Sequence, residues 1–333
     1  MPNPQLNLSN TIHILKHIGS GVTSDVYLCS SNEHLYAIKI YKHFHNSEIV
    51  FKKEQLIHSK LNFPGITSLL ISGNNTISSS LSSSISFHKT IKYHLFEYND
   101  KEDLFNYIFY PKTPFTEPIA RSLFKDILQC VKECHSRNVV HLDLKLENIM
   151  FNKHYEVKLC DFGFAQEINN DNKLIETFVG TESYSAPEII MRQPFNGYKA
   201  DVFSLGVILF IMLTGKRPFR NARKFDGYYQ YIRKGNLELF WKNIKKSNDG
   251  LMLSEEAVDL ISKMICYDSN ERISIDEILE HSFMKKEIEL KENVFNELNE
   301  RYKIIQRNRK DCDIEGDGRF VGIDINLQNG KVN

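Results

Sequence analysis

The sequence has no charge bias. In 333 residues, 42 lysines and arginines stand against 42 aspartates and glutamates. A net charge of zero supplies neither the basic stripe of a nucleic-acid surface nor a polybasic membrane patch, so no nucleic-acid or membrane partner is expected. A cysteine framework is also missing. The six cysteines, at 29, 130, 134, 160, 266 and 312, form no C-x-x-C pair. They read as reduced thiols of an intracellular chain, cytoplasmic with a nuclear home also open. Cys130 and Cys134 lie four apart, but no second cluster completes a metal site, so they read as a buried helix face. The opening "MPNPQLNLSN" has no apolar signal core. The longest apolar run, "VFSLGVILFIML" from Val202 to Leu213, falls well short of the about 20 residues of a membrane span. It reads as a helix buried on all sides. No internal repeat is visible.

What is there begins with length, enough for two lobes and a large core. Short β-type runs up to Tyr41, "TIHILKHI", "DVYLCS" and "LYAIKIY", are separated by Gly, Ser and Asn and predict an antiparallel meander. From Ser47 to Leu61 the pattern turns helical. Two further strands, "GITSLLIS" and "IKYHLFEY", flank a Ser/Asn-rich insertion, "GNNTISSSLSSSISFHK", that reads as a surface loop. After Asn99, Ala120, Leu123, Phe124, Ile127, Leu128, Val131 and Cys134 recur at helical spacing and predict one long amphipathic helix leading to His141. From Ala200 onward helices dominate. The expected fold is α+β and bilobal: a small mainly-β lobe with one helix over 12–98, a larger mainly-α lobe over 99–288, and a C-terminal helix and acidic tail over 289–333.

Polar chemistry concentrates in "VVHLDLKLENIMF", residues 139–151, where Asp143, Lys145 and Asn148 sit between apolar runs; "LCDFGFA" adds Asp161. Upstream, Gly19 and Gly21 in "IGSGVTSDVY" occupy a turn between two predicted strands. Small residues there let backbone N–H groups approach phosphate oxygens, although a plain hairpin gives the same pattern. Lys39 lies in an apolar strand whose neighbours point the other way, so it needs an anionic partner, which Glu54 on the following helix can supply. Each residue alone is an ordinary polar side chain. Together and in this order they are what magnesium-nucleotide phosphoryl transfer needs: metal ligands, a phosphate clamp and a base.

In this order the motifs resemble a eukaryotic protein kinase over roughly residues 12 to 288: glycine loop 19–24, "AIK" 37–39, catalytic loop 141–148, "DFG" 161–163, "SAPE" 185–188 and "DVFSLGV" 201–207. The resemblance implies ATP and Mg2+, and roles position by position. Ile18, Gly19 and Gly21 would cover the nucleotide, and Val26, Ala37 and Met150 would sandwich the adenine. Phe96 would be the gatekeeper, with Glu97 to Asn99 as hinge. Lys39, paired with Glu54, would hold the α- and β-phosphates. Asp143 would orient the substrate hydroxyl and accept its proton, Lys145 would steady the γ-phosphate, and Asn148 and Asp161 would bind magnesium. Glu188 should pair with Arg272, Asp201 should hold the catalytic-loop backbone, and His58, Phe162 and His141 should stack in an internal spine.

Lys145 two places after Asp143, together with Thr181, resembles the serine/threonine type, in the calcium/calmodulin-dependent-like group, whose substrates are protein Ser/Thr hydroxyls. Glu147 and Asp103 match acidic positions that, in relatives, contact basic residues upstream of the acceptor. The rival reading is a pseudokinase that binds ATP or partners without transfer; the joint presence of Lys39, Glu54, Asp143, Asn148 and Asp161 argues for activity.

Leu142 departs from the resemblance. Many relatives carry Arg there, where it holds a phosphorylated side chain of the activation segment. The aligned acceptor is Thr177. Leucine cannot replace a guanidinium, so the segment is expected to fold by packing and activity not to require phosphate on Thr177. Beyond Lys286, a charged helix aligns Val294, Leu298, Tyr302 and Ile305 on one face, for docking on the body of the chain or for a partner. Finally, "DIEGDGRFVGID", 313–324, loosely matches a calcium loop but ends in Asp instead of Glu and leaves little chain for an exiting helix. A disordered acidic tail is the expectation.

Overall fold

The computed structural model describes residues 11–43, 47–78, 88–168, 174–247, 253–313, 323–326 and 331–332. The chain divides into two compact units, residues 1–100 with 309–333 and residues 101–308.

In the first unit, β1 (Thr11–Ser20), β2 (Ser24–Ser31) and β3 (His34–Tyr41) form the expected meander, followed by α1 (Ser47–Lys60), β4 (Leu69–Ser78) and β5 (His88–Glu97). Antiparallel pairing sets Lys39 opposite Val26 on one side and His94 on the other. Strand alternation then separates two faces. Ile38, Tyr93 and Leu95 join Ile12, Ile14, Cys29, Ile71 and Ile91 in an apolar core. Lys39 and Tyr41 reach α1, whose buried residues Phe51, Glu54, Ile57 and His58 recur at helical spacing. Part of the expected surface loop is strand instead: the β4–β5 pairing continues out to Ser78 opposite His88. Thr76 and Ile77 are β-formers that extend the ladder. The rest of the insertion lies outside the described residues.

The second unit opens with α2 (Leu104–Phe109) and α3 (Glu117–Ser136), then β6 (Val139–Val140), β7 (Ile149–Phe151), β8 (Val157–Leu159) and β9 (Gln166–Glu167). Strand β6 pairs with β9, and β7 with β8. Helices follow: α4 (Pro187–Ile190), α5 (Gly197–Thr214), α6 (Tyr229–Arg233), α7 (Leu237–Ser247), α8 (Glu255–Met264), α9 (Ile275–Glu280), α10 (Ser282–Lys285) and α11 (Lys291–Asp313). The apolar run belongs to α5, which by length and composition could cross a membrane but is buried over nearly its whole length. Its ends are set locally: the Asn196 side chain caps Lys199 N–H, and Gly215, at φ 68°, ends it in the left-handed region.

Helix α11 packs on this unit through the residues its periodicity marks. Leu298 and Ile305 are buried, and Lys101 lies 4.3 Å over the Tyr302 ring. Arg301, hidden beside them, donates to the carbonyls of Tyr107, Thr113 and Pro114 at 2.9, 2.6 and 3.0 Å.

The expectation of a wholly disordered tail fails at its end. In the first unit, β10 (Ile323–Asn326) pairs antiparallel with β1, Ile325 opposite Ile12, and β11 (Lys331–Val332) pairs with β4. Ile325 is fully buried in the same apolar core. An edge strand offers unpaired backbone groups, and an alternating apolar segment can satisfy them. Most of the calcium-loop match lies outside the described residues. Asp313 ends α11 and Asp324 stands in β10 opposite His13, whereas a calcium hand needs a second helix after its loop.

Candidate active site

Asp201, on α5, organises the catalytic loop. Its buried carboxylate accepts from the backbone N–H groups of His141 and Leu142, each at 2.9 Å, and from His135 Nε2 at 2.9 Å. This backbone clamp is the one expected; the His135 contact was not read from the sequence. It stabilises a turn in which Leu142 has φ 63°, a conformation that costs a leucine about 1–2 kcal/mol. His141 braces the loop from inside. Nε2 lies 3.1 Å from the Cys160 carbonyl, which only accepts, so Nε2 carries the proton and Nδ1 accepts from Asp143 N–H at 3.3 Å. The His141 and Phe162 rings are 4.8 Å apart.

Asp143 is almost wholly buried, and both carboxylate oxygens are engaged. Oδ1 accepts from the Thr181 hydroxyl at 2.7 Å; Oδ2 accepts from Lys145 Nζ at 2.7 Å and from Asn148 Nδ2 at 3.3 Å. Lys145 Nζ also reaches Thr181 Oγ1 at 3.1 Å. Burial works against the Lys145 ammonium, but the hydrogen bond to Asp143 and the charges of Asp143, Asp161 and Glu147 outweigh it, so its pKa lies above the ordinary lysine value. Asn148 Nδ2 donates to the Asp143 carbonyl at 2.8 Å as well, which leaves its amide oxygen as the atom to offer a cation. Asp161 follows β8 with φ 58°, a left-handed turn that Asp tolerates better than most residues.

The segment that carries Thr181 meets the rest of the unit at several points. Ile175 and Phe195 exchange backbone hydrogen bonds at 2.8 and 3.0 Å, and the Phe178 and Phe195 rings are 6.3 Å apart. Gly180, at φ 108°, lies so close to the Leu142 carbonyl that a Cβ there would stand 2.6 Å from the oxygen. Leu142 itself is buried, while Thr177 is exposed. Below, Arg272 holds Glu188 bidentately at 2.7 and 3.1 Å, as expected. Of the two acidic candidates for substrate contact, Asp103 is committed to capping α2, its two oxygens each 2.9 Å from Asn106 donors. Glu147 Oε2 is buried with no hydrogen-bond partner among the described residues.

In the first unit, Lys39 Nζ meets both oxygens of Glu54, at 2.8 and 2.9 Å, with both side chains buried. The Tyr41 hydroxyl donates to Glu54 Oε2 at 2.5 Å and stands 2.8 Å from His94 Nδ1. The glycine turn is closed by Gly21 N–H on the Ser24 carbonyl at 2.8 Å and braced by Lys42, 3.0 Å from Asp25. Gly19 pairs with Val26 across β1 and β2, and Ile18 is largely exposed beside them. Ala37 pairs with Phe96, and the His58 and Phe96 rings are 5.1 Å apart. In the hinge segment, Glu97 accepts from Ser68 N–H and the Asn99 amide donates to Thr67 Oγ1 at 2.8 Å. Both side chains therefore serve the fold. Met150 lies in β7 of the second unit, bridged to Asp103.

Tyr41, His94 and Arg301 escaped the sequence reading. Tyr41 carried one signal: two places after Lys39 on a strand, it must share the lysine's face.

Residues 12–284 match the protein kinase domain family, and the chain belongs to that family. Such domains use ATP and a divalent metal. The chain is 38% identical over 196 residues to probable serine/threonine-protein kinase KCC4 of Saccharomyces cerevisiae, a match covering 58% of this chain and 18% of that protein. It is 36% identical over 225 residues to probable serine/threonine-protein kinase HSL1 of the same yeast, covering 67% and 13%. With CBL-interacting serine/threonine-protein kinase 15 of Arabidopsis thaliana it shares 34% over 209 residues, covering 62% and 47%. The matches thus span less than half the length of each of these relatives.

Proposed function

We propose that the chain is an active ATP-dependent protein kinase that phosphorylates serine and threonine hydroxyls of proteins inside the cell. The observation that carries this reading is the Asp143 carboxylate, buried and fixed between Lys145 and Thr181. A substrate hydroxyl brought beside these contacts would find an oriented carboxylate with lone pairs free to accept its proton. Lys145, held protonated beside it, supplies positive charge for the transferred phosphoryl group. Lys39, oriented by Glu54, is the corresponding cation for the other phosphates, and the Gly19–Gly21 turn, with Val26, Ala37 and the hinge backbone, would hold the nucleotide.

Asn148 and Asp161 fit magnesium. They offer a neutral and an anionic oxygen, and Mg2+ usually takes one or two carboxylates from a protein and fills its remaining positions with water and phosphate oxygens. Bound there, the ion would neutralise phosphate charge. A preference for basic residues near the acceptor would rest on Glu147 and on Asp103, which also caps α2.

The test is transfer of the γ-phosphate from Mg-ATP to a panel of basic and neutral Ser/Thr peptides. Asp143→Asn should keep nucleotide affinity and lower turnover by about 10²-fold or more. Asp161→Asn should weaken metal-dependent nucleotide binding itself. Nucleotide binding without transfer by the parent would establish the pseudokinase reading instead.

A further inference from the structure

The first unit contains a hydrogen-bond chain that the family motifs do not call for. Glu54, when ionised, only accepts, so the Tyr41 proton must point to Oε2. The Tyr41 oxygen is then the acceptor for His94, which places the ring proton on Nδ1. His94 is fully buried, and its Nε2 has no hydrogen-bond partner among the described residues. A histidine there forfeits one polar contact to make the other. The same rings grip α1: Phe51 stacks on His94 at 4.5 Å and 27°, and meets Tyr41 edge-on at 5.4 Å. Phe51 and Glu54 are one turn apart on α1, so the helix is held to β3 and β5 by an aromatic contact and an ionic one together.

The buried Lys39–Glu54 pair needs such support. Removing two charges from water is costly, and their attraction compensates only when the geometry is good and the remaining lone pairs are satisfied. Tyr41 satisfies one of them, and His94 fixes the Tyr41 rotor, so the chain polarises in one direction.

We infer that Tyr41 and His94 are positioning residues that lock Glu54 onto Lys39, so that the α1 placement needed for transfer is built into the first unit. The inference rests on the proposed kinase activity but is read out separately from it. Two quantities are measured for the parent, Tyr41→Phe, His94→Leu, His94→Asn and the Tyr41→Phe/His94→Leu double variant. One is kcat and KM for ATP. The other is the rate at which a small acylating reagent labels Lys39 in the folded protein, divided by the rate at exposed Lys16, with Glu54→Gln as the reference for an unpaired Lys39.

Tyr41→Phe and His94→Leu should each lower kcat/KM for ATP by about tenfold and raise the Lys39 labelling ratio toward that of Glu54→Gln. The double variant should be no worse than the poorer single one, because both cut the same chain. His94→Asn keeps a donor at the δ position and should return most of the loss. Losses that multiply in the double variant, or a fall in activity with the labelling ratio unchanged, would overturn the inference. So would general labelling of all lysines by His94→Asn, which would mark a folding role. If the parent transferred no phosphate, the proposed function would fail while the labelling ratios still decided the relay.

Discussion

Gly180→Ala isolates the contact between the segment carrying Thr181 and the catalytic loop. The added Cβ would meet the Leu142 carbonyl oxygen at 2.6 Å, at a backbone φ of 108°. That oxygen cannot easily retreat, because Leu142 N–H is tied to buried Asp201 at 2.9 Å. To reach separations that real side chains show, the segment must move by ~0.4–0.8 Å. Thr181 is the next residue, and its hydroxyl bonds at 2.7 Å to Asp143 and 3.1 Å to Lys145 cannot both survive that shift. Misplacement by about 1 Å near reacting groups costs on the order of 10²-fold, so turnover should fall by about 10- to 100-fold. The strained backbone should also cost about 1–3 kcal/mol of stability. Gly235→Ala is the control: φ is 70° and nothing lies within 4 Å of the new Cβ, so it should cost about 1 kcal/mol and leave turnover unchanged. Steady-state phosphorylation and denaturant melts on both variants decide the matter. Equal turnover in the two would refute the account of Gly180.

Four further outcomes follow from other contacts of the fold. Burial, with the charges of His58 and Lys39, pushes the His94 pKa down to about 2, so the unfolded chain, titrating near the ordinary histidine value, binds the extra proton as pH falls. Stability is complete above about pH 6.5 and declines as pH falls below it; a His94→Leu variant with the same acid dependence as the parent in denaturant melts would contradict this. Ile325→Ala should cost the first unit about 2–5 kcal/mol in denaturant melts, and calcium should leave the turnover of the whole chain unchanged; calcium stimulation abolished by the paired substitutions Asp313→Asn and Asp317→Asn would show that the tail is a sensor. Thr177→Ala, prepared free of phosphate, should keep at least about a third of parental turnover, a change below about 1 kcal/mol in barrier, and a hundredfold loss would mean that some cation captures a phosphate there.

How much of this was legible in the sequence depends on what each signal encodes. Periodicity fixes faces, and so α3 and the apolar stripe of α11 could be read directly, as α5 could from its unbroken apolar run. Motif order fixed the partners of Asp201 and of Glu188, which lies 84 residues from Arg272, because the resemblance carries tertiary pairing that local pattern does not. Where neither operated, reading stopped. The Tyr41–His94 contact spans 53 residues and depends on the register that sets Lys39 opposite His94. A strand's alternation is silent about which neighbour it will meet. The tail failed for a related reason: its composition reads as disordered, but β1 offers an edge that its end can pair with. That Asp103 caps α2 was not legible, because a carboxylate facing a substrate and one capping a helix look alike in one dimension.

Leu142 takes its meaning from these unread contacts. A guanidinium at that position would make ordering of the segment conditional on a phosphate. In this chain the segment is held by the Ile175–Phe195 backbone pair, by the fit of Gly180 on the Leu142 carbonyl and by Thr181 on Asp143, none of which requires a modification. In the first unit, Tyr41 and His94 hold Glu54 through neutral donors within that unit. Both arrangements replace an added charge with buried, short-range contacts. Such contacts are little screened by salt, so each arrangement should persist within its own unit across ionic strengths at which a surface phosphate–arginine clamp weakens.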